Sequence, residues 1–310
     1  MPLIETNAGP NTGAGHSSRR PHPNDVMAKL YERTARANLA LIEKRRHATE
    51  TPWQMFFPGL ETFMRAMPNQ IARSSLFAPI AKGHRKMHNA TVLVSRKDGV
   101  LEYSGEQLDE ADADIVLQLM YEALQSIPGQ PVTINRAAFL RAIGRNTGKS
   151  DYTWLHRRIK ALTAATLFIE ARRSDGSAKY RVGDTKAFHI LSDFEYNEGA
   201  ETYTYTLDQR WKVLFGNREF ALIDWEKRLN IGRGQDMAKA LQLLVATSAD
   251  PVQRYALDWL KAKMQYGSPL RKFKVAIKAA TDELERLQII AGARFALNTR
   301  GKEQMVWTKL

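Results

Sequence analysis

Cysteine is absent from the 310 residues, which excludes disulfides, thiolate zinc sites and a cysteine nucleophile. That absence suits a reducing cytoplasm, the compartment expected for this chain. No apolar run approaches ~18 residues, the length a membrane-spanning helix needs. The opening "MPLIETNAGPNTGAGHSS" has an early acid and no apolar core, so it does not read as a secretory signal. Acids are the scarce charge: 33 Asp and Glu stand against 46 Lys and Arg, a net charge of +13. Such an excess favours a polyanionic partner, nucleic acid before an acidic membrane surface. What remains is a 44% hydrophobic chain, long enough for about two domains.

The first segment, to about Asn24, is rich in Gly, Pro, Ser and Asn and reads as a disordered tail. "DVMAKLYERTARANLALIEKRRH" then has helical spacing and a basic end suited to a helix C-terminus. Together, residues 1–60 are expected to be a flexible extension used for partner docking. Strand-like "ATVLVS" and "VLEYSG" flank a hairpin signal, "RKDG". Helices are expected in "EADADIVLQLMYEALQS", "INRAAFLRAIG" and "SDYTWLHRRIKALTAAT", before strands "LFIEARR", "KYRVGDTKAFHIL" and "ETYTYTL". Three helices followed by hairpin strands is the winged-helix order.

The order recurs in "GQDMAKALQLLVATSA", "VQRYALDWLKAKM" and "SPLRKFKVAIKAATDELERLQ", followed by strands "IIAGARFAL" and "EQMVWT". Both third helices contain Ile-Lys-Ala, at Ile159-Lys160-Ala161 and Ile277-Lys278-Ala279, a trace of duplication. The expected fold is therefore α+β: two tandem winged-helix domains, 61–223 and 224–310, behind a disordered or helical N-terminal extension.

"GRNTGKS" at Gly144–Ser150 imitates a phosphate-binding loop. A Walker A loop needs one more residue between its glycines and a strand before them, and this chain supplies neither. "FALID" at Phe220–Asp224 resembles the companion Mg²⁺-binding strand, but hydrophobic runs ending in Asp are common. The alternative reading assigns Gly144 to the end of one helix and Ser150 or Asp151 to the cap of the next.

That next helix has two faces. Tyr152, Leu155, Ile159, Leu162 and Thr166 cluster on one side; Thr153, His156, Arg157 and Lys160 lie roughly 140° away. In the second module Phe273, Ile277, Ala280, Leu284 and Leu287 form the apolar row, and Arg271, Lys274 and Lys278 a stripe roughly 130° from it. A helix seated in the major groove needs this division. Arg157 and Arg271 are the candidates for paired bonds to guanine; Lys149, Lys160, Lys274 and Lys278 suit phosphates, and Ser150 and Lys272 complete the expected DNA-binding set. Arg172, Arg173, Lys179 and Arg181 flank the tip "SDGSAK" and are read either as a wing reaching the DNA backbone or the minor groove, or as a charged, solvated hairpin tip.

"RAMPNQIARSSLF" (Arg65–Phe77), "VLEYSGEQLDEADADIVLQLMYEA" and "DWEKRLN" (Asp224–Asn230) resemble the TrfA family of plasmid replication initiators, from about Glu61 to Phe295. The resemblance implies two winged-helix domains that bind direct repeats (iterons) in double-stranded origin DNA. It implies help in opening an A+T-rich segment, and recruitment of the host initiator, replicative helicase and sliding clamp. A monomer–dimer equilibrium is implied too; the residues themselves offer no Ser/His/Asp or paired-carboxylate arrangement, so a non-enzymatic role without cofactor or metal is expected. "QMFFP" at Gln54, Met55, Phe56, Phe57 and Pro58 departs from the family's clamp-binding peptide while keeping its Gln and aromatics; it is read either as a clamp-docking segment or, with Trp53, Phe56 and Phe57, as packing onto the first domain.

Other features point elsewhere only weakly. His84 and His88 are four apart, without further ligands at a zinc spacing. "DEADAD" (Asp109–Asp114) reads as acids at a helix N-terminus. An ATP-driven helicase loader using Lys149 and Asp224, and a two-domain transcriptional repressor, are the rival functions.

Overall fold

The computed structural model describes residues 63–80, 85–123, 126, 129–184, 187–216 and 219–310. The segments expected to form an N-terminal tail and helix, Gln54–Pro58 and His84 lie outside the described residues. The chain enters through β1 (Met64–Pro68), α1 (Asn69–Ala72), β2 (Met87–Leu93) and β3 (Gly99–Glu106). Then come α2 (Glu110–Ala123), β4 (Val132–Asn135), α3 (Arg136–Ala142) and α4 (Lys149–Ala164). β5 (Thr166–Arg172), β6 (Ala178–Val182) and β7 (Phe188–His189) follow, then β8 (Leu191–Asn197), β9 (Thr202–Leu207), α5 (Trp211–Gly216) and β10 (Phe220–Asp224). The remainder is α6 (Trp225–Leu229), α7 (Asp236–Ala246), β11 (Val252–Ala256), α8 (Leu257–Lys263), α9 (Leu270–Arg286), β12 (Ile290–Leu297) and β13 (Glu303–Lys309).

Two winged helices emerge from this order. In the second, helix α7, strand β11, helices α8 and α9 and the β12–β13 hairpin follow in sequence, and the sheet runs β11-β13-β12. In the first, α2, β4, α3, α4, β8 and β9 repeat the series with sheet order β4-β9-β8. The inserted strands β5–β7 leave that sheet and join β2 and β3 in a separate one, ordered β2-β3-β5-β6 with β7 also on β5.

The short first strand of each module was hidden in the sequence. "INRAAFLRAIG" and "VQRYALDWLKAKM" read as single helices, yet Ile134 and Asn135 end β4, and Val252–Ala256 is strand β11. Both strands run straight into a seven-residue helix with no breaker between. Only the alternation of buried Val132 and Ile134, and of Gln253 and Tyr255, marks them. Asn135 makes the switch, its side chain accepting the Ala138 N–H at 3.0 Å.

The turn after that helix is built alike in both modules and filled differently. After α3 the chain turns through Gly144 at φ +72°, as expected of a helix-ending glycine. After α8 the same place holds Gln265 at φ +49°, a conformation that a Cβ disfavours. Its side chain donates to the Ser75 carbonyl (2.8 Å) and accepts from Gln107 Nε2 (2.6 Å), which ties this turn to the first module.

Each module has its own core. The first gathers Leu108, Ile115, Leu119, Leu155, Ile159, Tyr205 and Trp211; the second gathers Leu241, Leu260, Phe273, Ile277, Leu284 and Trp307. Between them β1 pairs antiparallel with β10, Met64 opposite Asp224 and Pro68 opposite Phe220. Arg65 of "RAMPN" lies 3.6 Å over the Tyr121 ring and donates to Gln118 Oε1. Asp224 of "DWEKRLN" caps α6 by accepting the Lys227 N–H at 2.9 Å, and Trp225 Nε1 donates to the Ala142 carbonyl. The quoted motifs are the seam of the molecule.

"DEADAD" does more than favour a helix start. Asp109 Oδ1 accepts the Ala111 and Asp112 N–H groups while Asp112 Oδ2 accepts that of Asp109, a reciprocal cap. Glu110 and Asp112 are fully buried and Asp114 nearly so. Arg158 holds Asp112 at 2.6 Å, and Arg85 reaches the same carboxylate at 2.8 Å. From the second module's side, Arg228, itself fully buried, bonds Glu110 at 2.9 Å and Asp114 at 2.5 Å, and Lys239 also pairs with Asp114. An ionic hub at one helix start joins α4 to the inter-module seam.

Candidate nucleic-acid interface

Helices α4 and α9 are the third helices of the two modules, and their buried rows align. Leu155, Ile159 and Leu162 of α4 match Phe273, Ile277 and Ala280 of α9 at the same spacing. Arg158 completes the inward face of α4, and Thr281 and Leu284 that of α9. Thr166, expected on the α4 face, instead opens β5, because the helix stops at Ala164. Leu287 follows α9 as its C-cap and is partly buried. The expected caps Ser150 and Asp151 lie inside α4; Gly148 takes the cap position without a side-chain bond.

On the outer face of α4, Lys149, Ser150, Thr153, Arg157 and Lys160 are exposed. Arg157 and Lys160 fall roughly 150° round the helix from the centre of the buried row. Neither they nor Lys149 forms an ion pair with a described carboxylate. His156 departs from the expected stripe. Its ring packs against Phe194, Tyr196 and Tyr203, at 5.8, 5.5 and 6.0 Å between centroids, on the β8–β9 sheet. Burial, and then the Lys160 charge, lower its pKa and favour the neutral ring. Beside it, an open cleft of about 570 Å³ is lined by Arg136, Lys149, Thr153 and Glu198 among others.

On α9, Arg271 and Lys272 are exposed and likewise unpaired among the described residues. Lys274 pairs with Glu303, and Lys278 with Asp282. Exposed pairs of this kind contribute about 0–1 kcal/mol, so an incoming phosphate displaces them readily.

The basic hairpin is not the wing of its module. The β5–β6 tip belongs to the β2-β3-β5-β6 sheet, because β5 pairs with β3 along Gly99–Ser104. Arg172 and Arg181 both bond Glu170 at 2.7 Å, Lys179 bonds Glu219 at 2.7 Å, and Arg173 donates to the Ala178 carbonyl at 2.6 Å. The topological wing of the first module is the β8–β9 hairpin, whose tip carries Glu198 and Glu201, the latter paired with Arg136 at 2.6 Å. The wing of the second module is the β12–β13 hairpin, and its tip offers exposed Arg300 and Lys302. Those two cations went unnoticed in the sequence. "NTRGK", a turn signal between two strands, was the mark that could have revealed them.

"GRNTGKS" connects α3 to α4, so a helix rather than a strand precedes it. Arg145 of the loop stacks 3.4 Å from the Trp154 ring centroid and reaches Asp151 at 3.3 Å. Asp224, the supposed Mg²⁺ ligand, is occupied in capping α6. Among the described residues no group of three or more His, Cys, Asp or Glu is placed to hold a metal ion. Nor is any described helix long and apolar enough to cross a membrane.

Fold and surface thus define a protein of two tandem winged-helix modules, each carrying a cationic third helix. No protein-family model matches the chain. The plasmid replication initiator protein TrfA of Escherichia coli is 27% identical over 170 residues, covering 53% of this chain. The chain matches only 42% of that relative's length. Among solved structures, domains 2 and 3 of RctB superpose with a TM-score of 0.49 at 11% identity, covering 78% of this chain and 98% of that one. A Pi initiator protein in complex with iteron DNA gives a TM-score of 0.45 at 16% identity, covering 69% and 97%. The resemblance to the TrfA plasmid replication initiators is thus matched by that relative over 170 residues.

Proposed function

We propose that the chain is a non-enzymatic plasmid replication initiator that binds iteron repeats in double-stranded origin DNA through α4 and α9. One observation carries this reading: on both third helices, opposite aligned core rows, the outward positions hold cations, of which Lys149, Arg157, Lys160, Arg271 and Lys272 pair with no described carboxylate. Base edges would be read by Arg157 and Arg271, and phosphates held by Lys149, Lys160, Lys272, Lys274 and Lys278. Arg172, Arg173, Lys179 and Arg181 would serve as a separate phosphate-contacting hairpin outside the winged helix. The kinship with TrfA supports the replication role over that of a simple repressor. Modules divided near 223–224, origin opening, recruitment of host initiator, helicase and clamp, and a dimer that dissociates to bind DNA belong to the same proposal. So does a cytoplasmic, plasmid-associated location.

Selection from random-sequence DNA, followed by footprinting, tests it. A tight, discrete site is expected, with affinity falling about three to five decades between 50 and 200 mM salt if 6–10 phosphates are neutralised. Binding without sequence preference would reject it. Saturable Mg²⁺-dependent ATP binding abolished by Lys149→Ala would favour the helicase-loader reading instead. A plasmid depending on this gene alone separates initiator from repressor, since only an initiator yields colonies.

A further inference from the structure

We propose that Val275 is a base-reading residue of the second module, and that it recognises the 5-methyl group of thymine. The inference rests on the reading of α9 as a major-groove helix. Val275 is 71% exposed, more than any other large apolar side chain on a described helix. A single exposed valine is ordinary on a protein surface. Its position makes this one different. It lies roughly 170° round the helix from the buried Phe273, Ile277, Ala280 and Leu284, on the outermost line of α9, which it shares with Asp282 two turns later.

Around it stand Arg271 one turn earlier, Lys274 adjacent and Lys278 one turn later. Neither core packing nor helix propensity accounts for it: it is not buried, and a β-branched residue is a weaker helix former than Ala or Lys. The major groove offers one apolar feature, the thymine methyl, and a small branched side chain between cations that hold the backbone suits it.

The first module sharpens the point. With the buried rows aligned, Thr153 matches Arg271, His156 matches Lys274, Lys160 matches Lys278, and Arg157 matches Val275. The most comparable outward position thus carries a guanidinium in one module and two methyl groups in the other. The two halves of the site would differ in sequence at this equivalent position, guanine facing Arg157 and thymine facing Val275.

The test uses the intact chain and the tightest duplex recovered by selection. Each thymine is replaced in turn by deoxyuridine, which lacks only the methyl. Wild type should lose about fourfold in affinity, the worth of one buried methyl, at one or two positions in the half protected by the second module. Val275→Ala should bind the thymine duplex about fourfold more weakly and be indifferent to deoxyuridine there. Its binding to random DNA should be unchanged, which shows that the fold and phosphate contacts survive. If the wild type binds its site tightly and no deoxyuridine weakens it, or if Val275→Ala keeps the full sensitivity, the inference is wrong and the initiator reading stands. If the wild type prefers no site at all, both fall together.

Discussion

The two modules share a scaffold and a cationic third helix, and differ in their wings and insertions. Both follow the order helix, strand, helix, helix, hairpin, and both sheets place the hairpin's second strand in the middle. Their third helices keep the same three-position core row. Outside it, the first module has an acidic wing and an inserted basic hairpin on a separate sheet; the second has a basic wing and no insertion. The lesson concerns constraint. Burial fixes one stripe of each helix, because a lost core contact costs several kcal/mol, whereas the outer stripe is held only by its ligand.

Cutting the tie between the modules should have the largest effect. Arg228→Ala leaves Glu110 and Asp114 buried without their main partner and should cost about 3–5 kcal/mol in urea unfolding. A shift under about 1 kcal/mol would show that the seam is already solvated in solution. Next come the two arginines proposed to read bases, one in each module. Arg157→Ala and Arg271→Ala should each weaken the selected site by about 1–3 kcal/mol and relax one base position, with random DNA barely affected. Equal losses on both DNAs would demote that arginine to a phosphate contact.

The wings offer a smaller contrast. Arg300→Ala with Lys302→Ala should lower the salt slope by about 2, near 0.9 for each phosphate released. Glu198→Lys with Glu201→Lys should raise it, if the acidic wing faces the duplex; an unchanged slope would place that hairpin away from DNA. The smallest effect concerns pH. Burial raises the Glu110 carboxyl, against the pull of Arg228. Its share of stability is therefore whole below the ordinary 4.5 and lost as pH rises toward about 7. Wild type should lose stability relative to Glu110→Gln across that window. Parallel denaturation curves would contradict a buried, proton-holding Glu110.

Much of this architecture could be read from residues alone. The amphipathic rows of α4 and α9 were legible because a helix core repeats every three to four residues. Strands β4 and β11 were not, since four or five residues running unbroken into a helix carry too little pattern. The wing was misplaced because "SDGSAK" looks like any charged hairpin, and only pairing with β3 reveals which sheet it joins. Arg158 and Arg228 were unreadable for a different reason. Their burial depends on carboxylates 46 and 114 residues away, and no local periodicity reports that. Val275 needed the exposure of its neighbours before an apolar residue could be taken as part of a surface.

Because the chain has no cysteine, one introduced at Thr153 on α4 or at Ala279 on α9 would carry a single DNA-cleaving reagent. Tethered cleavage of the selected duplex is the most direct test that both helices enter the major groove. Two separate clusters of cuts are expected, one per module, each with the strand offset of a major-groove probe. Cuts from only one helix, or from neither, in a complex that remains fully bound would contradict the account.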